Sequence, residues 1–265
     1  MYVWQLTHCA ITVYCALFHC SLKIMAGHSK WNNIKRTKGK ADAARANVFT
    51  KIGREIAVAV KLGGADVSAN YRLRDAVAKA KAANMPNDNI SRGIKKASGE
   101  LSSINYEAIV YEGYAVDGIA VIVETLTDNK NRTAGEVRHI FDKYGAGLGT
   151  TGCVSYLFDY RGIIVLEKVS TRDDDIVFGD VLDAGADDFE VNDDVYEVVC
   201  AVESYSGVRD ALETKGYKII ESSLAHIPKS YVPLSNSDKF NKMLDMFDDN
   251  DDVQQVYHNA QAEGE

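Results

Sequence analysis

The spacing of apolar residues changes character near residue 100. Before that point it is helical. Over residues 42–62, Phe49, Ile52, Ile56, Ala59 and Val60 fall on one side of a helix, and Lys51, Arg54 and Lys61 on the opposite, cationic side. Gly63 and Gly64 end it. A second helix is predicted over 68–84, burying Leu73, Ala76, Val77 and Ala80, with Pro86 as its stop. Asn87 is placed to cap a third helix over 88–97 that carries Arg92, Lys95 and Lys96. Residues 25–40 have no apolar period, only Trp31 and Ile34 among polar and basic residues, and read as an extended arm.

Past residue 100 the period becomes two. Residues 106–112 and 119–125 predict a hairpin turning at Asp117-Gly118, followed by a helix over 133–144. Strands over 154–158 and 163–167, a helix over 175–184, strands over 187–191 and 195–202, a helix over 205–215 and a strand over 217–224 complete the order ββαββαβ. That order predicts an α+β fold with ferredoxin-like units and helices on one face of the sheet. The tail, extended over 227–234, helical over 237–247 and a strand over 253–257, has too little apolar surface for its own core. It is expected to return to the first α+β unit. The expected domains are therefore 25–100 (helical and basic), 101–151 with 228–265 (discontinuous α+β) and 152–227 (ferredoxin-like α+β).

Charge sharpens the division. Residues 25–100 hold 16 Lys and Arg against 6 Asp and Glu, a balance of +10, whereas residues 101–265 hold 13 against 32, a balance of −19. A basic front on an acidic body points to a polyanion-binding module. Six cations of the arm and its junction with the first helix, Lys30, Lys35, Arg36, Lys38, Lys40 and Arg45, suit a phosphate backbone, and Trp31 suits stacking on an unpaired base. The expected nucleic-acid contacts are these residues with Asn32, then Lys51 and Arg54 on the first helix and Arg92, Lys95 and Lys96 on the third. The polar run from Asp128 to Thr133 is read mainly as a helix cap, through Asn131 or Asp128, with Asn129, Asn131 and Arg132 as secondary contacts.

Other motifs fail on context. Gly147, Gly149 and Gly152 spell G-x-G-x-x-G, but a helix precedes and a strand follows, the reverse of what a dinucleotide needs. The acidic run 248–252 lacks the glycine and glutamate of a calcium loop and reads as a turn, and Asp173 to Asp175 read as a helix start. His28, His139, His226 and His258 have no paired-ligand spacing, and Cys153 and Cys200 are expected in strands as small core residues. No catalytic signature appears, so the expectation is a non-enzyme with no metal and no cofactor. Five cysteines without a disulfide framework suit a reducing cytoplasm. Residues 1–24 are short for a membrane span and lack the basic start of a secretory signal and the arginines of a transit peptide. They are expected to be an upstream extension, with the working protein beginning at Met25.

Four stretches resemble the YebC/PmpR family: AGHSKWNNIKRTKGKADAARANVFTKI, LRDAVAKAKAANMPNDNISRGIKKA, TDNKNRT with GLGTTGCVSYLF, and DDVQQVYHN. The resemblance spans Met25 to about Asn259. It implies three domains, a basic helical one followed by two α+β domains. It also implies a transcriptional regulator that binds DNA, as described for bacterial members, or a translation factor at the ribosome, as for a mitochondrial relative. A basic third helix suits a major groove, while an extended arm with Trp31 suits structured RNA. The expected partner is therefore DNA, or ribosomal RNA and the ribosome. No membrane partner is expected, and with no heptad or dimer element a monomer is favoured.

Overall fold

The computed structural model describes residues 43–99, 106–169 and 173–261, with side chains from Asn47 onward. Residues 1–24 and the arm, with Lys30, Trp31, Asn32, Lys35, Arg36, Lys38 and Lys40, lie outside the described residues, as does the Arg45 side chain.

Three helices open the described chain: α1 (Ala43–Gly63), α2 (Tyr71–Ala82) and α3 (Asn87–Ser98). Ile52, Ile56, Ala59 and Val60 of α1 pack against Leu73, Ala76 and Ala80 of α2 and Ile90 and Ala97 of α3. Helix α2 begins at Tyr71 rather than residue 68, because Asn70 is committed to capping. Its Oδ1 accepts from Leu73 N–H at 3.2 Å and its Nδ2 donates to the Ala59 and Gly64 carbonyls at 2.7 and 2.9 Å. This one buried amide ties the end of α1 to the start of α2. A Cβ on Gly63 would come within 2.7 Å of it, which is why glycine stands there. Pro86 holds the position before α3, so Asn87 is the first helical residue and not the cap.

The first sheet has the order β3-β1-β2-β9, built from β1 (Glu107–Tyr114), β2 (Ala120–Thr127), β3 (Gly147–Leu148) and, from the far end of the chain, β9 (Val253–His258). The β1–β2 turn passes through Asp117 and Gly118, both at positive φ. α4 (Lys130–Tyr144) and α7 (Ser237–Asp248) cover one face, where the Phe141 and Phe247 rings meet edge to face at 5.5 Å. The second sheet, order β5-β6-β4-β7, comprises β4 (Phe158–Glu167), β5 (Asp188–Val191), β6 (Val195–Cys200) and β7 (Ile219–Pro228). One face is covered by α5 (Asp174–Asp183) and α6 (Tyr205–Thr214), which bury Val177, Val181, Val208 and Leu212. A short parallel pair, β8 (Val232–Pro233) with β10 (Ala260–Gln261), closes the tail.

The remaining faces of the two sheets pack on each other through Ala120, Ile122, Phe158, Ile163, Val165 and Tyr257. This explains why residues 120–123 of β2 and 163–166 of β4 are unbroken apolar runs where an alternating pattern would suffice for one buried face. Val121 and Val123 face the helices while Ala120 and Ile122 face the other sheet. The predicted strand over 154–158 is not one: Ser155–Leu157 form a 3-10 turn, and a single long strand runs from Phe158 to Glu167. Cys153 accordingly lies in a turn, and of these two cysteines Cys200 alone is in a strand.

Candidate nucleic-acid interface

Most of the described cations of the front segment fall into two groups, while Lys79 pairs with Glu55 at 3.2 Å within the segment. Arg92, Lys95 and Lys96 are exposed on α3 at positions i, i+3 and i+4, within an arc of about 100°, and the buried Ile90 and Ala97 occupy the opposite side. Exposed Arg74 and Lys81 stand seven residues apart on one side of α2. Arg72 lies over the exposed Tyr71 ring, 5.8 Å from its centroid. Together these present separated positive charges to solvent without a described carboxylate bound to them.

Lys51 and Arg54 behave differently. The part of the expected cationic face of α1 that carries Lys51 and Arg54 is turned against the body, while Lys61 is exposed. Lys51 Nζ donates to the Asp248 carbonyl at 2.9 Å, and its pKa is lowered, since burial outweighs the attraction of Asp248, Asp251 and Asp249. Arg54 Nη1 donates to the Asp251 carbonyl at 2.6 Å and to the Asp252 carboxylate. Asp252 is buried, and its other oxygen accepts from Arg132 at 2.7 Å, Thr133 at 2.6 Å and Thr127 at 3.1 Å. Burial pushes the Asp252 carboxyl up, but the hydrogen bonds from Thr133, Arg132 and Arg54 outweigh it and hold the carboxyl below its usual range.

The polar run before α4 is thereby accounted for. Asn129, not Asn131 or Asp128, caps α4 by accepting from Arg132 N–H at 3.2 Å, so the helix starts three residues earlier than its apolar spacing suggests. Arg132 is held by Asp128 at 2.8 Å as well as by Asp252. Asn131 remains exposed. Beside this joint an open cleft of about 630 Å³ is lined by Arg54 and Arg132 and by Glu136, Asp249, Asp251 and Asp252. Its acidic balance is unsuited to phosphate. The Asp252 joint was missed by sequence reading because an acidic run next to a strand looks like a solvated turn. The available signal was the match of Thr, Arg and Thr at 127, 132 and 133 with a remote aspartate, which no local pattern exposes.

The glycine-rich loop also has an internal role. Glu112 Oε1 accepts from Gly152 N–H at 2.8 Å, and its Oε2 accepts from Val154 and Ser155 N–H at 2.9 Å each. The loop cradles an anion, but that anion is the protein's own carboxylate. Burial pushes the Glu112 pKa up, and the three amides more than offset this and lower it. Gly152 adopts φ 88°, open to glycine and costly for other residues. Among the described residues, no group of three or more His, Cys, Asp or Glu is arranged to hold a metal. None of the described helices is long and apolar enough to cross a membrane.

Comparison with known proteins gives a family. Residues 29–100 match the TACO1/YebC protein N-terminal domain, and residues 106–260 match the TACO1/YebC second and third domain. A probable transcriptional regulatory protein of Clostridium beijerinckii is 58% identical over 239 residues, 89% of this chain and 97% of that protein. One from Acetivibrio thermocellus is 53% identical over 242 residues, 90% of this chain and all of the relative. The crystal structure of a conserved hypothetical protein, Aq1575 of Aquifex aeolicus, matches with a TM-score of 0.76 and 38% identity, over 92% of this chain and 98% of that one. The chain belongs to the TACO1/YebC family.

Proposed function

We propose that this member of the TACO1/YebC family is a non-enzymatic, nucleic-acid-binding regulator of gene expression, working in the cytoplasm as a DNA-binding transcriptional regulator. The observation that carries the reading is the exposed row Arg92, Lys95 and Lys96 on α3, in a segment of +10 charge joined to a body of −19. The names of the curated relatives, probable transcriptional regulatory proteins, support the regulatory part. Phosphate contacts come from the arm (Lys30, Lys35, Arg36, Lys38, Lys40), from Arg45 and from α3, with Asn32 beside them and Asn131 as a secondary contact. Lys51, Arg54 and Arg132 hold the joint instead, and Asn129 caps α4. The second reading, an RNA-binding translation factor at the ribosome, rests on Trp31, whose indole in a basic arm suits unpaired bases.

The test is binding of the full chain to duplex DNA and to structured RNA across a salt series. Log affinity should fall with log salt by about 0.7–0.9 per phosphate neutralised. Replacing Lys30, Lys35, Arg36 and Lys38 by alanine should flatten that slope. Crosslinking in cells, followed by sequencing of bound DNA and RNA, then separates the two readings. An unchanged slope in the fourfold variant refutes the arm as the phosphate contact.

A further inference from the structure

At the end of the molecule formed by α5 and β5, three large apolar side chains besides Ile176 are left in solvent. Phe178 and Leu182 on α5 and Val191 on β5 are 46%, 47% and 43% exposed. Val177 and Val181 point into the core, so Phe178 and Leu182, one residue further round the helix, face the edge of the sheet. There Phe178 meets the half-buried Phe189 of β5, ring centroids 5.8 Å apart. The result is a short apolar ledge along β5.

β5 is the edge strand of its sheet, paired only with β6. Asn192 N–H bonds to the Val195 carbonyl at 2.9 Å, which opens the hairpin, and the register then alternates. Asp188 and Glu190 direct their backbone groups to β6, so those of Phe189 and Val191 face the open side. No described strand pairs with that side, and the Phe189 N–H is taken up by the Asp188 carboxylate at 2.9 Å. An open edge beside an apolar ledge is the arrangement that accepts an added strand.

The surrounding charge selects the occupant. Residues 173–194 contain ten Asp and Glu and no Lys, Arg or His. The neighbouring cations Arg161, Lys168 and Lys215 are paired with Asp187, Asp174 and Asp180 at 3.0, 3.2 and 2.7 Å. Nucleic acid is repelled by such a surface. A second copy docking edge to edge would bring two of these acidic segments together.

We propose that the β5 edge is a docking site for an extended, basic segment of a partner protein, added as a fifth strand to the second sheet. Strand parity sets the recognition pattern. Residues of the guest on the α5 side meet Phe178, Leu182 and Val191 and are apolar. Those on the opposite face lie beside Asp188 and Glu190 and are Lys or Arg. The site therefore reads alternating apolar and basic residues, with backbone hydrogen bonds to Phe189 and Val191 fixing direction and register.

The probe is a fluorescein-labelled decapeptide of alternating valine and lysine, titrated into the full chain and followed by anisotropy and by amide hydrogen exchange. Expected are saturable binding, slowed exchange at Val191, and loss of binding when the peptide's backbone amides are N-methylated. Val191→Pro, which removes an outward N–H, and Leu182→Glu, a change on the solvent side of α5, should each weaken binding about tenfold or more. Val110→Asp, at an exposed valine of the first sheet, should not. Equal binding by the N-methylated peptide, or by all variants, means charge attraction alone and overturns the proposal. Protection of Val191 before any peptide is added shows that the chain itself or a second copy already covers the edge, and overturns it too.

Discussion

Helices α1 and α3 belong to the same basic segment and carry the same kind of charge, yet they use it in opposite ways. Lys51 and Arg54 of α1 point at the Asp248–Asp252 turn and spend their hydrogen bonds on carbonyls and one buried carboxylate. Arg92, Lys95 and Lys96 of α3 stay in solvent. A count of cations treats the helices alike. The difference lies in what each face meets, a returning acidic tail for α1 and water for α3. A cation already held by a buried carboxylate is a joint, and one held by nothing is available to phosphate.

This contrast can be broken at several points. The largest effect on stability is expected from Asp252→Ala, which leaves Arg54 and Arg132 without their shared acceptor. A loss of about 3–5 kcal/mol, read by denaturant unfolding, is the scale for removing one partner of a buried ion pair. A loss below about 1 kcal/mol, the scale of an exposed pair, would mean that the joint is ornamental. Glu112→Ala should cost about 1–3 kcal/mol by stranding three amides of the glycine loop, without touching nucleic-acid affinity. Lys51→Ala, which removes one bond to a carbonyl, should cost about 1 kcal/mol. Smallest of all, Arg92, Lys95 and Lys96 changed together to alanine should alter stability by no more than about 0.5 kcal/mol. The same variant should reduce the salt slope of binding by up to about 0.7–0.9 for each phosphate that α3 no longer neutralises. If the triple variant binds normally and Lys51→Ala does not, the two helices have been assigned the wrong way round.

Acid sharpens the same comparison. Asp252 and Glu112 both titrate below the ordinary carboxylate range of about 4 in the folded chain. A depressed folded pKa contributes stability that is complete above the unfolded value and is lost as pH falls through the folded one. Unfolding free energy should therefore decline below about pH 4, and the decline should be shallower in Asp252→Asn. Replacing Arg92, Lys95 and Lys96 should leave the acid limb unchanged.

The chain's own pattern settled a good deal. The switch from helical to alternate spacing near residue 100, the three front helices and the α+β class all follow from where apolar residues stand, because those periods are properties of the backbone itself. The pattern erred where a local signal competed with a tertiary one. Residues 154–157 look like a strand but turn, since the Val154 and Ser155 amides are drawn to Glu112 about forty residues away. α4 gains a turn at its start because Asn129 caps it in place of Asn131 or Asp128. What only the tertiary structure decided is the partner of each charge. Asp252 was one acid in an acidic run until the tail folded back beside β2 and carried it to Arg54 and Arg132. Hydrophobic periods are read within one element and survive in the sequence. Charge pairing is made between elements distant along the chain, so a charge shows its role only once folding has chosen its neighbours.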